Sequence, residues 1–269
     1  MKKKNLKILV GVEVAVLAFL CLCGIAGIVY YAGRLPATTE ISQPTIQPVA
    51  EATATPPPTE TPVPVLLGTQ LERQPNGAST FTDLDGGFEI DIPVGWLAAR
   101  PDNNDEINAV LAGEGAKNQM LFDQLTADQA AYEAGKDRLL IYPLRPDIQK
   151  DVLFGFSKLV WQSPDTQPID NATMGQLVRE LESSGVLPGL RVRTSSIEEN
   201  QNGVPVMVIK GRFGLPDGQG GSIPFTAILV FFKPTPTSVT RITFTYMQDF
   251  EAQIEPDVNA MIASIRLSK

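Results

Sequence analysis

The chain has 269 residues, a formal net charge of −8, no histidine and two cysteines. Its acidic balance argues against nucleic-acid binding, because phosphate affinity comes from Lys and Arg displacing counterions. Without histidine it lacks the commonest general base, zinc ligand and pH switch. Cys21 and Cys23 both lie in an N-terminal apolar run, so the rest of the chain has neither disulfide nor thiol nucleophile.

Lys2, Lys3, Lys4 and Lys7 precede that run, Ile8–Ala32, which is 25 residues long. At ~1.5 Å per residue, a helix of this length crosses a ~30 Å hydrocarbon layer with some tilt. It must be a helix, because lipid satisfies no backbone N–H or C=O. Only Arg34 stands close on the far side, so the positive-inside bias keeps residues 1–7 cytoplasmic and sends the rest outward. A cleaved signal peptide is the rival reading. It has a shorter apolar core and a small-residue exit, whereas Tyr30-Tyr31-Ala32-Gly33 closes this one. A lipoprotein carries a small residue before its cysteine, whereas Leu20 and Leu22 precede Cys21 and Cys23. Glu13 lies near the cytoplasmic end of the run, within reach of the headgroups.

Residues 33–79 read as a disordered linker. Within them, Pro36–Val65 contains eight prolines and seven threonines and no aromatic residue. Such a segment buries too little apolar surface to offset its ordering entropy, and its prolines extend it toward polyproline II.

Residues 80–269 carry the pattern of one folded domain. Phe88, Ile90 and Ile92 alternate with Glu89 and Asp91, the period of a half-buried strand. Asp85-Gly86-Gly87 before them is a tight turn, with Thr80–Asp83 as a short preceding strand, and Pro93-Val94-Gly95-Trp96 ends the run. A helical region follows, with Ile107, Val110 and Leu111 on one face, a capping box at Thr126-x-x-Gln129 and a stop at Gly135. Arg138–Tyr142 and Val152–Trp161 read as strands. Thr173-x-x-Gln176 starts the clearest helix, whose stripe is Met174, Leu177, Val178 and Leu181 and whose stop is Gly185. Four strands then follow in series: Arg191–Glu198, Val204–Phe213, Ser222–Phe232 and Val239–Met247. Their short connections argue for an antiparallel meander. Ala227–Phe232 is apolar throughout, as a central strand covered on both faces is. A last helix is expected from about Pro256, with Val258, Met261, Ile262 and Ile265 inward. The expected class is α+β, with one mainly antiparallel sheet and helices on its faces.

Three motifs in order carry a resemblance. Gly87-Phe88-Glu89-Ile90-Asp91-Ile92-Pro93-Val94-Gly95-Trp96 is similar to the opening of PsbP-like domains. Asn202-Gly203-Val204-Pro205-Val206 resembles their mid-domain turn. Phe250 with Ile262-Ala263-Ser264-Ile265-Arg266-Leu267 resembles their closing helix and tail. The resemblance implies a PsbP-like α/β/α sandwich over residues 80–269 and an accessory or binding role, usually without catalysis. The metal-associated histidines of PsbP have no counterpart here, so no functional residue carries over.

Candidate chemistry is sparse. Asp83-x-Asp85-Gly86-Gly87 has two calcium-loop positions but glycine at the third and no glutamate at the twelfth, so a turn is the simpler reading. Asp102-Asn103-Asn104-Asp105-Glu106 offers oxygen ligands, and equally an acidic helix start. Trp96 and Trp161 are expected in the core. Arg191, Arg193, Lys210, Arg212 and Arg241 lie on three strands of the meander. If the register aligns them, they form a ligand-binding cationic stripe for an anionic glycan or a peptide carboxylate. The alternative is cross-strand pairing with Glu89, Asp91, Glu198 or Glu199. No cofactor or metal is expected. The expectation is a single-pass, cell-membrane protein anchored by Ile8–Ala32, whose outer domain binds or assembles envelope glycan or protein without catalysis. The alternative is an envelope-polymer hydrolase working through paired carboxylates.

Overall fold

A computed structural model of the chain describes residues 68–144, 155–184, 187–216 and 220–268. The expected cytoplasmic tail, the anchor Ile8–Ala32, the proline-rich stretch through residue 65 and the helix stop at Gly185 lie outside these residues. Among the described residues no helix is long and apolar enough to cross a membrane.

The fold is mixed α and β with two antiparallel sheets, where the sequence suggested one. The smaller sheet has the order β1-β2-β3-β11, formed by β1 (Thr69–Arg73), β2 (Ser79–Asp83), β3 (Phe88–Ile92) and β11 (Arg266–Leu267). The larger has the order β4-β5-β6-β10-β9-β8-β7. Its strands are β4 (Trp96–Ala99), β5 (Asp137–Pro143), β6 (Gly155–Gln162), β7 (Arg191–Glu199), β8 (Pro205–Pro216), β9 (Ser222–Phe232) and β10 (Val239–Met247). Among the described residues, four α-helices cover it: α1 (Asn104–Gly113), α2 (Gln119–Ala130), α3 (Asn171–Ser183) and α4 (Glu251–Ser264). After β6, in mid-sheet, the chain crosses the outer face through α3 and begins the far edge as β7. The meander β8, β9, β10 then returns it to pair with β6.

Strand alternation sorts the side chains into layers. On the inner face, Ile228, Val230, Phe232, Ile242, Phe244 and Tyr246 pack against Phe81, Phe88, Ile90 and Ile92 of the small sheet and Ile254, Val258 and Met261 of α4. On the outer face, Met207, Ile209, Phe213 and Leu229 lie under the α3 stripe of Met174, Leu177, Val178 and Leu181. At the other end of that face, Leu97, Leu140 and Tyr142 meet Ile107, Val110, Leu121 and Leu125 of α1 and α2. β9 sits between β8 and β10 and contributes to both faces, which is why its sequence is apolar throughout.

Several boundaries differ from expectation for local reasons. β1 falls inside the span read as linker, because Leu71 pairs with Phe81 and packs on the inner core. β4 follows Gly95 directly and is buried at every residue, so it shows no alternation. Helix α2 starts at Asn118, whose side chain accepts from the Leu121 N–H. Thr126 lies inside the helix and donates back to the Phe122 carbonyl. Helix α3 is capped by Asp170, which accepts from the Thr173 N–H at 2.8 Å. Helix α4 starts at Glu251, so Pro256 lies inside it, on its exposed face, rather than at its first position.

The two sheets are tied by Arg138. Its guanidinium bonds both oxygens of Asp83 at 2.7 and 2.8 Å and also grips Asp85. All three side chains are at most 5% exposed, and the guanidinium lies 5.4 Å from the Trp161 ring centre. Asp83 also accepts from the N–H groups of Asp85 and Gly86, closing the turn. The Asp83–Gly87 segment is thus a turn, as its sequence suggests, and its aspartates hold an internal cation. Replacing Arg138 with Met leaves two buried carboxylates unpaired and should cost about 3–5 kcal/mol in denaturant unfolding. A cost near zero would show that the triad does not hold the sheets together.

Candidate functional site

Strand register decides where the five basic residues stand. Arg191 and Arg212 are direct partners across β7 and β8, and Thr194 is the partner of Lys210. Arg193 is the extra residue of a bulge between Val192 and Thr194. Lys210 and Arg212 alternate with Ile209, Gly211 and Phe213, so they face inward, toward α4. Arg241 lies two strands away, beside Phe231 and on a row with Met207, both of which belong to the outer face. The structure therefore brings Arg191, Lys210 and Arg212 together and places Arg241 on the opposite side of the sheet.

Lys210 and Arg212 meet the first turns of α4. Lys210 Nζ donates to Glu251 at 2.8 Å and to both oxygens of Glu255 at 2.9 Å. Arg212 reaches the other Glu251 oxygen at 3.3 Å, and the Thr226 hydroxyl donates to the same atom at 3.1 Å. Glu251 and Glu255 are one helical turn apart, which is why one ammonium spans both. Burial opposes the charge on Lys210, but the two glutamates outweigh it and hold the ammonium above its ordinary pKa. Burial likewise works to raise Glu251, and Lys210 outweighs it, keeping the carboxyl below its ordinary value. Tyr246 is pushed well up by burial and by the nearby Glu255 and Glu251 charges. The cluster thus holds a charged ammonium, an ionised carboxylate and a protonated phenol, none tuned toward proton exchange near neutrality.

The expected partners Glu89 and Asp91 are engaged elsewhere. Arg266 of the tail grips Glu89 at 2.7 Å and Asp91 at 2.8 Å. Ser264 accepts from the Asp91 N–H at 2.9 Å. The opening and closing motifs of the domain are therefore bonded to each other. The middle motif and Asn200 just before it join them: the Asn200 amide donates to the Ile262 and Ile265 carbonyls at 3.0 and 2.7 Å, and Asn202 donates to Ile265 at 3.1 Å. These side chains satisfy carbonyls left open at the end of α4. Gly203, at φ 72°, makes the tight turn that presents them.

Other sequence candidates have structural roles. Asn103 caps α1 by accepting from the Glu106 N–H at 3.1 Å, and Glu106 pairs with Arg100 at 2.9 Å. The Trp96 indole is buried and donates to Asp257 at 2.9 Å. The narrow crevice between Trp96, Phe156, Tyr246 and Ile254 has no room for a water molecule.

One polar cluster gave no sequence signal. Beneath α2, buried Asp128 accepts from the Tyr142 hydroxyl at 2.5 Å and from Gln124 at 3.0 Å. Nearby, Lys158 bridges to Asp137 at 2.7 Å. Only the i, i+4 spacing of Gln124 and Asp128 was readable, and it is common on helices.

No protein-family model matches the chain, and no curated protein matches it. Among solved structures it is similar to the cyanobacterial PsbP of Synechocystis, with 9% identity, TM-score 0.43, and coverage of 72% of this chain and 94% of that one. It is also similar to LpqN of Mycobacterium tuberculosis, described as involved in cell envelope biogenesis, with 11% identity, TM-score 0.40, and coverage of 75% and 91%. A third likeness is to the Ran-binding protein Mog1p of Saccharomyces cerevisiae, with 6% identity, TM-score 0.41, and coverage of 71% and 95%. PsbP, whose family the sequence motifs resemble, is thus among these structures. Likenesses this distant say nothing of what the chain binds.

Burial raises the pKa of Asp128 above its ordinary value, although Tyr142 and Gln124 oppose the shift. A raised carboxyl binds its proton more tightly folded than unfolded. Its contribution is therefore full below the unfolded value and is lost as pH rises through the folded value. Asp128→Asn should remove that loss. Urea midpoints of variant and parent should diverge, with the variant gaining, as pH climbs from 4 to 8. Parallel curves would mean that Asp128 does not titrate in this range.

Proposed function

We propose that the chain is a single-pass membrane protein whose outer domain acts as a binding or assembly module through its surface rather than through chemistry. The anchor reading rests on Ile8–Ala32 and its lysine flank. The non-catalytic reading rests chiefly on the fate of the acidic pairs. Asp83 and Asp85 are bridged by Arg138, Glu251 and Glu255 by Lys210, and Glu89 and Asp91 by Arg266. A hydrolytic pair needs one carboxyl free to carry a proton and an open space between the two for the substrate. Here a cation fills each of those spaces. Among the described residues, the edge strand β7 offers a partner the exposed Arg191 and Arg193. These two carry the anion-binding part of the proposal, with an envelope glycan or an acidic protein segment as ligand.

Protease added to intact cells should cut the chain between residues 33 and 67, releasing the outer domain. Cleavage appearing only after lysis would overturn the orientation. Replacing Arg191 and Arg193 together with Ser should weaken capture of an acidic envelope polymer about tenfold at low salt, on the scale of two exposed charge-assisted contacts. Replacing Lys210, already held by two glutamates, should leave capture unchanged. Equal loss in both variants would overturn the assignment to the edge strand.

A further inference from the structure

β7 ends the strand order of the large sheet, and its inner neighbour is β8. Of its nine residues, Arg191, Arg193, Thr194, Ser195, Glu198 and Glu199 are exposed. An open edge presents a row of N–H and C=O groups to any chain that can pair with it. Two devices cover its beginning: the bulge after Val192, and the Glu182 carboxylate, which accepts from the Val192 N–H at 2.9 Å. Neither extends over Thr194–Glu199.

The charges on this strand are ordered. Arg191 and Arg193 stand at its start and Glu198 and Glu199 at its end, with Thr194-Ser195-Ser196 between them. A strand with this polarity matches an antiparallel copy of itself. A parallel copy would set arginine against arginine and glutamate against glutamate, which is unfavourable for residues directly opposite each other.

Resting on the binding reading above, with Glu198 of a second copy as the acidic protein group that Arg191 meets, we propose that β7 pairs antiparallel with β7 of a second copy of this chain, across a two-fold axis at Ser195. Side-chain faces place the axis on a residue rather than between two, and matching Arg191 with Glu198 places it at Ser195. Residues opposite each other must share a face, and the β8 ladder sets the face of every β7 residue except the bulged Arg193. Ser195 of one copy then faces Ser195 of the other, and Thr194 faces Ser196. Past the bulge, Val192 comes opposite Ile197, both on the outer face, and Arg191 opposite Glu198, both on the inner face. The central contact is small and polar, its flanks are apolar, and its ends are ion pairs. The symmetry makes each pair occur twice, as in an isologous interface. Glu182 keeps the Val192 N–H, so the backbone ladder is short, and the arginine–glutamate pairs carry the specificity.

Disulfide trapping in the full chain tests this, with Cys21 and Cys23 replaced by Ser. Cα atoms of opposed residues in an antiparallel pair are ~4.5–5.5 Å apart, within disulfide reach. Ser195→Cys should therefore give a disulfide-linked dimer on mild oxidation. Asn76→Cys, in the exposed β1–β2 turn, should stay monomeric. Adding Arg191→Glu to Ser195→Cys should lower the dimer yield about tenfold, as two attractive pairs become repulsive. Adding Glu198→Arg to that variant should restore it. A Ser195→Cys protein that stays monomeric would overturn the proposal. So would equal trapping at positions 76 and 195, a yield indifferent to Arg191→Glu, or a failure of Glu198→Arg to rescue.

Discussion

The architecture depends on one buried guanidinium. The two sheets share an apolar core, but apolar contact alone leaves their mutual placement loosely defined, since burial is non-directional. Arg138 supplies direction. It comes from the start of β5, where the ladder to β6 is irregular between Asp137 and Leu139. It enters the β2–β3 turn and engages Asp83 and Asp85 there. Burial opposes its charge, and the two aspartates more than compensate, raising its pKa further. Such a triad adds less net stability than its bonds suggest, because the charges lose their hydration. Its role here is geometric, because a misplaced sheet would strand all three charges.

The same arrangement, one cation between two carboxylates, recurs at two other joints. Lys210 joins β8 to the first turns of α4, and Arg266 joins β11 to β3. Each joins segments far apart in the chain. The three joints explain how an acidic, disulfide-free domain stays compact. At these joints a cation neutralises each acidic pair, and pairs of a kind that serves acid–base chemistry elsewhere act as fasteners. Asp91 shows the consequence. Partial burial works to raise it, yet Arg266 and Thr80 hold its pKa below the ordinary value.

What the sequence revealed followed from local periodicity and turn chemistry. Phe88, Ile90 and Ile92 alternate because β3 has one buried face. Asn200–Gly203 marks a hairpin because Gly203 has positive φ. The uniform apolarity of Ala227–Phe232 reports a strand covered on both sides. What stayed hidden depends on long-range pairing or on competition between equal local signals. Thr126 looked like a helix cap, but Asn118 stands earlier and takes that role. The short strand β4 is buried at all four residues and offers no period to detect. Nothing in Lys210 or Arg212 indicates that α4 will present Glu251 and Glu255 to them. A cationic stripe requires the basic residues of all three strands to face one way, and periodicity within one strand does not report that. Counting through β9 puts Arg241 on the other side.

The two edges of the large sheet show where that sheet can meet another chain. β4 is fully buried, and Arg73 of the small sheet donates to its Ala98 carbonyl at 3.0 Å while Arg100 returns a bond to the Thr69 carbonyl at 2.8 Å. That edge is closed from within. β7 is closed only at its start. Its exposed residues are polar or charged, so it offers little apolar surface to arbitrary strands. A partner must supply acidic groups opposite Arg191 and basic groups opposite Glu198, and must run antiparallel to do both. Charge order along an open edge thus acts as a filter: it raises the cost of indiscriminate pairing while leaving one orientation favourable.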